Sequence, residues 1–339
     1  MKRDDPNTHV TLAHGNGGRR MREWLENVLA HHLDNPGLDT GRDAALLGHS
    51  PEELAFTTDG FIVQPLEFPG GNIGSLCVNG TANDLAVAGA RPRFLSLSLF
   101  IEEGMAMDRL ERILASIGQT ARQHDIQVVT GDTKVLPRGQ GSGLHVATSG
   151  IGHRLESAPE LDLRHAEVGD RLIVSGPVGD HGAAVMLARE EFGLSGTLAS
   201  DCACVWPLCE AALSEDGLRF MRDPTRGGLA TVAHELAADL GATIRLWEAD
   251  IPVRDPVRGV CDILGFDPFF LACEGRVVAL APPAAADRIL DHWHALPDGK
   301  DAAVIGEITQ GPNRVVLQTA LGGERILPEL EEEALPRIC

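Results

Sequence analysis

No stretch of the 339 residues approaches the roughly 18 consecutive apolar residues that a membrane-spanning helix needs. The opening MKRDDPNTHVTLAHGNGG also lacks the apolar core of a secretory leader, so a soluble cytoplasmic protein is the expectation. Tyrosine is absent altogether, and nothing in the sequence gives that a physical reason. Basic residues are scarce: 29 Lys and Arg stand against 49 Asp and Glu, a formal charge of −20. Such a field repels phosphodiester backbones, which argues against nucleic-acid binding. It repels a free polyphosphate as well, unless metal ions intervene. No G-x-x-x-x-G-K-[ST] occurs, and no G-x-G-x-x-G opens a helix after a strand. C-x-x-C and H-E-x-x-H are missing too. The seven cysteines are odd in number and lack framework spacing, which fits a reducing compartment.

What is present is a chain with enough apolar content, 43%, for sizeable cores, and a length that suggests two domains. A glycine-rich HGNGGRRM precedes a short amphipathic helix with Met21, Trp24, Leu25 and Val28 at helical spacing. ELAFTTD (53–59) reads as a strand. Residues 72–90 read as a helix capped by Asn72 and stopped by Gly89. RFLSLSLFI (93–101) alternates like a half-buried strand, and 107–125 is a helix with Leu110, Ile113, Leu114 and Ile117 on one face. DIQVVTGDT and LHVATSGIG follow as strands. The pattern lapses into polar loop over 152–170, where a domain boundary is placed. Beyond it come a strand at RLIVSG, helices near 181–192 and 227–240, and strands at ATIRLWE, GRVVALA, AAVIGEI and RVVLQT. Without a strict βαβ beat, the fold class is α+β: mixed sheets with helices packed on one face, not a doubly wound sheet.

Aspartates recur at strand ends and turns among small residues: Asp43, Asp59, Asp84, Asp132 and Asp223. Carboxylates on such turns suit a hard cation, and the cation could bridge to a polyphosphate. The plain alternative is a set of capping and turn aspartates. Asp84 stands apart, because it falls inside an otherwise apolar helix, where an unpaired carboxylate is expensive. In RDPTRGGLATVAHEL, Thr225 is positioned to cap, and Gly227 and Gly228 leave the first turn bare. Leu229, Val232, Leu236 and Leu240 form the buried face, and Arg226 adds a positive charge to an anion-receptive helix start. Gly15, Gly17 and Gly18 form a second backbone-rich loop ahead of a helix, and Lys134 could meet phosphate as a point charge. Glu274 is the odd carboxylate in FFLACEGRVVAL, and burial there would raise its pKa toward that of a general base. The C-x-C-x₄-C of CACVWPLC (202–209) could be part of a zinc site or simply partly buried thiols.

The chain closes on LPELEEEALPRIC, a segment with little to pack and much to solvate. Twelve extended residues would carry the thiol of Cys339 up to roughly 40 Å. The terminal carboxylate and Glu331, Glu332 and Glu333 favour the neutral thiol, so its activation is expected in a partner's site.

Taken together, HGNGGRRM, the run from TTDGFIVQPLEFPGG through NGTANDLAVAGARPRFLS, VTGDTKV, GDHG, RDPTRGG, CEG and the final PRIC resemble the HypE family of hydrogenase maturation factors. The aspartate turns are shared more widely with aminoimidazole ribonucleotide synthetase and selenophosphate synthetase; the terminal Pro-Arg-x-Cys is specific to HypE. The resemblance implies a two-domain aminoimidazole ribonucleotide synthetase-like fold. It divides into a Gly-rich loop and helix (1–40), an ATP-binding and dimerisation domain (41–155), a C-terminal α+β domain (156–327) and a tail (328–339). It implies a homodimer paired through N-terminal-domain strands. ATP with Mg²⁺ would bind between the domains, with the family's ATP and metal carboxylates on Asp43, Asp59, Asp84, Asp132 and Asp223. Asp43 lies in GRDAALL instead of the doubled-Asp turn of the superfamily. The implied enzyme is an ATP-dependent carbamoyl dehydratase. Cys339 accepts a carbamoyl group from a HypF-type carbamoyltransferase, Glu274 serves as base, and the thiocyanate passes cyanide to a HypC–HypD complex for the iron of [NiFe] hydrogenase. A small-molecule synthetase or kinase of the same superfamily, or a non-catalytic scaffold, are the competing readings. Against selenophosphate synthetase, no cysteine precedes Cys77.

Overall fold

The structure is a computed structural model, described over residues 9–10, 24–35, 54–156, 158–189 and 197–329. Asp43, Gly15, Gly17, Gly18 and Cys339 lie outside those residues.

After a π-helical turn (Leu25–Leu29) and α1 (Ala30–Leu33), the first half is a four-stranded mixed sheet in the order β1-β6-β4-β5. Its strands are β1 (Leu54–Phe61), β4 (Ala90–Glu102), β5 (Gln127–Leu136) and β6 (Leu144–Arg154). A small ribbon, β2 (Glu67–Phe68) with β3 (Gly71–Asn72), leads into helix α2 (Ile73–Val87). Only β4 and β5 run parallel. Helices α2 and α3 (Met107–Gln123) cover one face. The α3 stripe is the expected one, since Leu110, Ile113, Leu114 and Ile117 are all fully buried.

The second half is a seven-stranded sheet in the order β13-β12-β9-β11-β7-β10-β8. Its strands are β7 (Arg171–Val174), β8 (Phe220–Arg222), β9 (Thr243–Trp247), β10 (Val278–Ala281), β11 (Ala303–Thr309), β12 (Arg314–Gln318) and β13 (Glu324–Ile326). It too is mixed, with β12 parallel to β9 and the other pairs antiparallel. Its helices are α4 (Asp180–Ala188), α5 (Trp206–Leu213), α6 (Gly228–Leu240), α7 (Asp255–Leu264) and α8 (Pro283–His294). Hydrophobic periodicity leaves α5, α7 and α8 unassigned. All three carry proline in the first helical turn, where its fixed φ favours the start of a helix.

Helix α2 is the hinge-pin of the architecture. Asn72 Oδ1 accepts from the N–H groups of Gly74 (2.8 Å) and Ser75 (3.2 Å), and Ser75 Oγ accepts in turn from the Asn72 N–H (3.0 Å). The helix ends before Gly89, at φ +80°. Every residue of α2 except Ser75 and Asp84 is buried. A helix apolar or small all round must be covered on every side, and α2 touches β1, β4, β6 and α3 of its own half and α5 and β8 of the other. One hydrophobic core accordingly runs through both halves, joining Leu76, Ile113 and Val128 to Val205, Leu208 and Trp293. A second core lies between α6 and its sheet, and a third between α4 and α7.

Candidate active site

Asp84 is one of the two half-buried residues on that otherwise covered helix, and it opens onto a narrow cleft between the halves. Asp59, near the end of β1, Asp223, just after β8, and Glu274 line the same cleft, along with Thr225 and Arg226. Residues separated by 215 positions thus share one pocket because α2 presses β1 against the loops that follow β8 and precede β10.

The four carboxylates feel one another. Asp223 is 7% exposed, and burial, followed by Asp84, pushes its carboxyl up to about 7. Burial raises Asp84, with Asp59 adding to the shift and a hydrogen bond from Thr57 Oγ1 (3.0 Å) opposing it. Burial also raises Asp59, against a hydrogen bond from the Gly60 N–H (2.7 Å) and the charge of Arg226. Glu274 is 2% exposed. Burial first, then Asp223, Asp201, Asp59 and Asp84, hold it well above the ordinary glutamate range. Its Oε1 has no hydrogen-bond partner among the described residues. Positive charge arriving beside a buried carboxyl raised in this way lowers its pKa again and favours loss of the proton.

The cationic wall is the start of α6. Thr225 does not cap it: Gly227 is the N-cap, at φ +73°, and no side chain satisfies the first N–H groups. Gly228 also sits at positive φ (+57°), where a Cβ would lie 2.5 Å from the Leu271 carbonyl oxygen. The double glycine therefore turns the chain tightly against 269–271, with the Gly228 N–H donating to the Thr225 carbonyl (2.9 Å) and no side chain capping the helix start next to Arg226, a geometry receptive to phosphate. Of the expected helix face, Leu229, Val232 and Leu236 are buried, while Leu240 is only partly so.

Asp132 and Lys134 are not brought into this cleft. They sit on β5, at the edge of the sheet opposite β1. Asp132 is level with Gly60 across Ser98 and Ala147. Three strand spacings of about 4.8 Å put roughly 14 Å between those strands. Side chains alternate faces along a strand, so Asp132, Lys134, Phe56 and Phe100 share the uncovered face, while Asp59 and Thr57 point toward α2. Lys134 Nζ pairs with Asp132 Oδ2 at 3.0 Å, both exposed. In the 202–209 segment, Cys204 and Cys209 are buried and Cys202 is half-buried; burial lifts Cys202 to about 12 and Cys204 to about 11.

Comparison with known proteins bears on this cleft. Family models for AIR synthase related proteins match residues 41–153 (N-terminal domain) and 167–318 (C-terminal domain). The carbamoyl dehydratase HypE of Azotobacter vinelandii is 42% identical over 98% of this chain and 98% of its own, and that of Escherichia coli is 43% identical over 98% and 99%. The chain belongs to the HypE carbamoyl dehydratase family. A crystal structure of HypE in complex with ATP matches it with TM-score 0.91 at 42% identity, over 97% of this chain and 99% of that one. A HypE–HypF complex matches with TM-score 0.79 at 38% identity, over 91% and 99%. Thiamine monophosphate kinase from Aquifex aeolicus, at 18% identity and TM-score 0.60, shares the fold alone. The α+β, two-part HypE architecture and the dehydratase class expected from the sequence are borne out. No helix among the described residues is long and apolar enough to cross a membrane.

Proposed function

We propose that this chain dehydrates an S-carbamoyl group on its own Cys339 to a thiocyanate, with ATP as co-substrate bound at the cleft of Asp59, Asp84, Asp223 and Glu274. The convergence of these four carboxylates with a bare helix start is the observation that carries the reading. The reaction turns S–C(=O)–NH₂ into S–C≡N. The amide oxygen attacks the γ-phosphorus as one N–H proton leaves, ADP departs, and the oxygen is then expelled as phosphate as the second N–H proton leaves. Glu274 is the base, its buried carboxylate aimed into the cleft. Arg226 and the uncapped start of α6 at Gly227 and Gly228, with Thr225 beside them, hold the phosphates.

The donor set suits a divalent cation, since, besides burial, Asp59 raises Asp84 and both raise Asp223, with Arg222 and Arg226 opposing them only in part. Asp59, Asp84 and Asp223 would hold Mg²⁺, which supplies charge neutralisation on the phosphates when bound. Among the described residues no three His, Cys, Asp or Glu side chains are arranged to hold a metal ion by themselves, so the proposed Mg²⁺ would take most of its shell from phosphate and water. Asp43 and the loop of Gly15, Gly17 and Gly18 complete the proposed ligand set from outside the described residues.

The tail can reach this site. Leu327 is fully buried, and the Pro328 carbonyl lies 3.2 Å from His234 Nε2 on α6. His234 is six residues, or roughly 9 Å, along the helix from Gly228. The eleven residues from Glu329 to Cys339 span up to roughly 36–40 Å, enough to enter the cleft or to visit a partner. A HypF-type carbamoyltransferase is the proposed donor and a HypC–HypD complex the proposed acceptor, in the cytoplasm. A second copy of this chain would cover the open face of the first sheet, where Leu54 (55% exposed) and Phe56 (70%) project. Asp132 and Lys134 lie on that face, and we assign them to the cleft of the second copy.

The test is the mass of the C-terminal peptide after incubation with carbamoyl donor, HypF-type partner and ATP. Gain of a carbamoyl group followed by loss of one water is expected. Deleting Cys339 should leave ATP binding intact and abolish cyanide formation; thiocyanate made by the truncated protein would refute Cys339 as acceptor.

A further inference from the structure

The turn that carries Glu274 is fastened through its backbone. Its N–H donates to Asp201 Oδ1 at 3.1 Å. Its carbonyl accepts from the Ala203 N–H (3.3 Å) and from Asn83 Nδ2 (3.1 Å). Segment 201–203 runs so close that a Cβ on Gly275 would lie 1.9 Å from the Asp201 carbonyl oxygen, so only glycine fits there.

Asn83 crosses between the halves with both ends of its amide. It sits on α2, directly before Asp84, and is 1% exposed. Its Nδ2 also donates to the Ala203 carbonyl (3.1 Å), and its Oδ1 accepts from the Val205 N–H (2.9 Å). Both amide hydrogens and the amide oxygen are therefore engaged, each with backbone more than 100 positions away. Successive residues of a helix point about 100° apart, so α2 offers Asp84 to the cleft while its neighbour grips the loop that presents Glu274.

We propose that Asn83 is a positioning residue: its amide sets the register between the phosphate-and-metal carboxylates of the first half and the Glu274 base of the second. The inference rests on the reading of Glu274 as base. Asparagine is required because the clamp needs two donors and one acceptor in one plane. Aspartate has the same shape but no donor, and it would set an oxygen against the carbonyls of Glu274 and Ala203.

The test uses the full-length protein with carbamoyl donor, HypF-type partner and ATP. Asn83→Asp should be carbamoylated normally and keep its KM for ATP within about threefold. Its carbamoyl-to-thiocyanate turnover should fall at least tenfold. Asn83→Ser, whose single short hydroxyl cannot reach both carbonyls and which adds no charge, should fall in the same direction and covers the case in which Asn83→Asp fails to fold. Trp293→Phe is the control for lost stability. It removes a buried hydrogen bond (Nε1 to the Leu208 carbonyl, 2.9 Å) from the shared core without touching the 274 turn, and should turn over like wild type. Asn83 variants that match Trp293→Phe in turnover, or that lose ATP affinity in step with turnover, overturn the clamp. Glu274→Gln in the same assay separates the two readings: full turnover there overturns the base assignment itself.

Discussion

Replacing Asp223 by Asn is expected to stabilise the nucleotide-free protein, and only where the pH is high enough to ionise the unfolded chain. Burial and the neighbouring Asp84 hold the Asp223 carboxyl at about 7 in the folded protein, against an unperturbed 3.8. Below pH 4 the group is protonated in both states and contributes nothing. Between about 4 and 7 the unfolded chain has released a proton that the folded chain retains, so stability declines as pH rises. Above 7 the full penalty applies. Three pKa units correspond to roughly 4 kcal/mol, an upper bound because an ionised Asp223 would draw water and cations toward it. Urea melts at pH 5 and pH 8 in EDTA supply the assay. At pH 8 Asp223→Asn should exceed wild type by about 1–4 kcal/mol, and the two should converge at low pH. Asp180, lifted to about 6 by burial and by Asp201, keeps a residual slope in both proteins. A variant no more stable than wild type at pH 8, or an unchanged difference between the two pH values, would refute the crowding of carboxylates on which the site rests.

Gly228→Ala should cost several kcal/mol, since left-handed backbone alone costs an L-residue roughly 1–2 kcal/mol and the new Cβ meets the Leu271 oxygen. Calorimetry should show a lowered Tm, and titration of ATP a weakened affinity at least tenfold beyond that of Trp293→Phe. Phe56→Glu alters a side chain that is 70% exposed, so monomer stability should change by less than about 0.5 kcal/mol. Sedimentation equilibrium should show the proposed dimer associating at least tenfold more weakly; an unchanged dimer would place the interface elsewhere.

The α2 helix was readable almost to the residue, because Asn72, Ser75 and Gly89 act within one turn of the chain. All four strands of the first sheet and five of the seven in the second were readable from alternation or short apolar runs, whereas β8 and β13 are three residues each and show no pattern. Helices α5, α7 and α8 were obscured: α5 and its flanks are apolar on several sides, and the short amphipathic runs of α7 and α8 begin at prolines that punctuate turns as well as helix starts. Among site residues, Asp84 stood out as a carboxylate among apolar neighbours, and Glu274 likewise. Thr57 and Asn83 gave no comparable signal, since a threonine in a strand and an asparagine in a helix are ordinary until their partners are known. The cap expected at Thr225 gave way to Gly227 because two successive residues at positive φ start the helix later.

Local chemistry therefore determined most of the elements, the acidic character of the site and the length of chain that carries the final thiol, since capping, alternation, charge and bond lengths act over a few residues. Only the tertiary structure decided which carboxylates share a cleft. Asp59, Asp84, Asp223 and Glu274 meet because a helix covered on all sides must be wrapped by both halves of the chain, whereas the pleat of β5 turns Asp132 and Lys134 to the opposite face. That difference of facing is a property of the packed sheet, and no spacing along the chain encodes it.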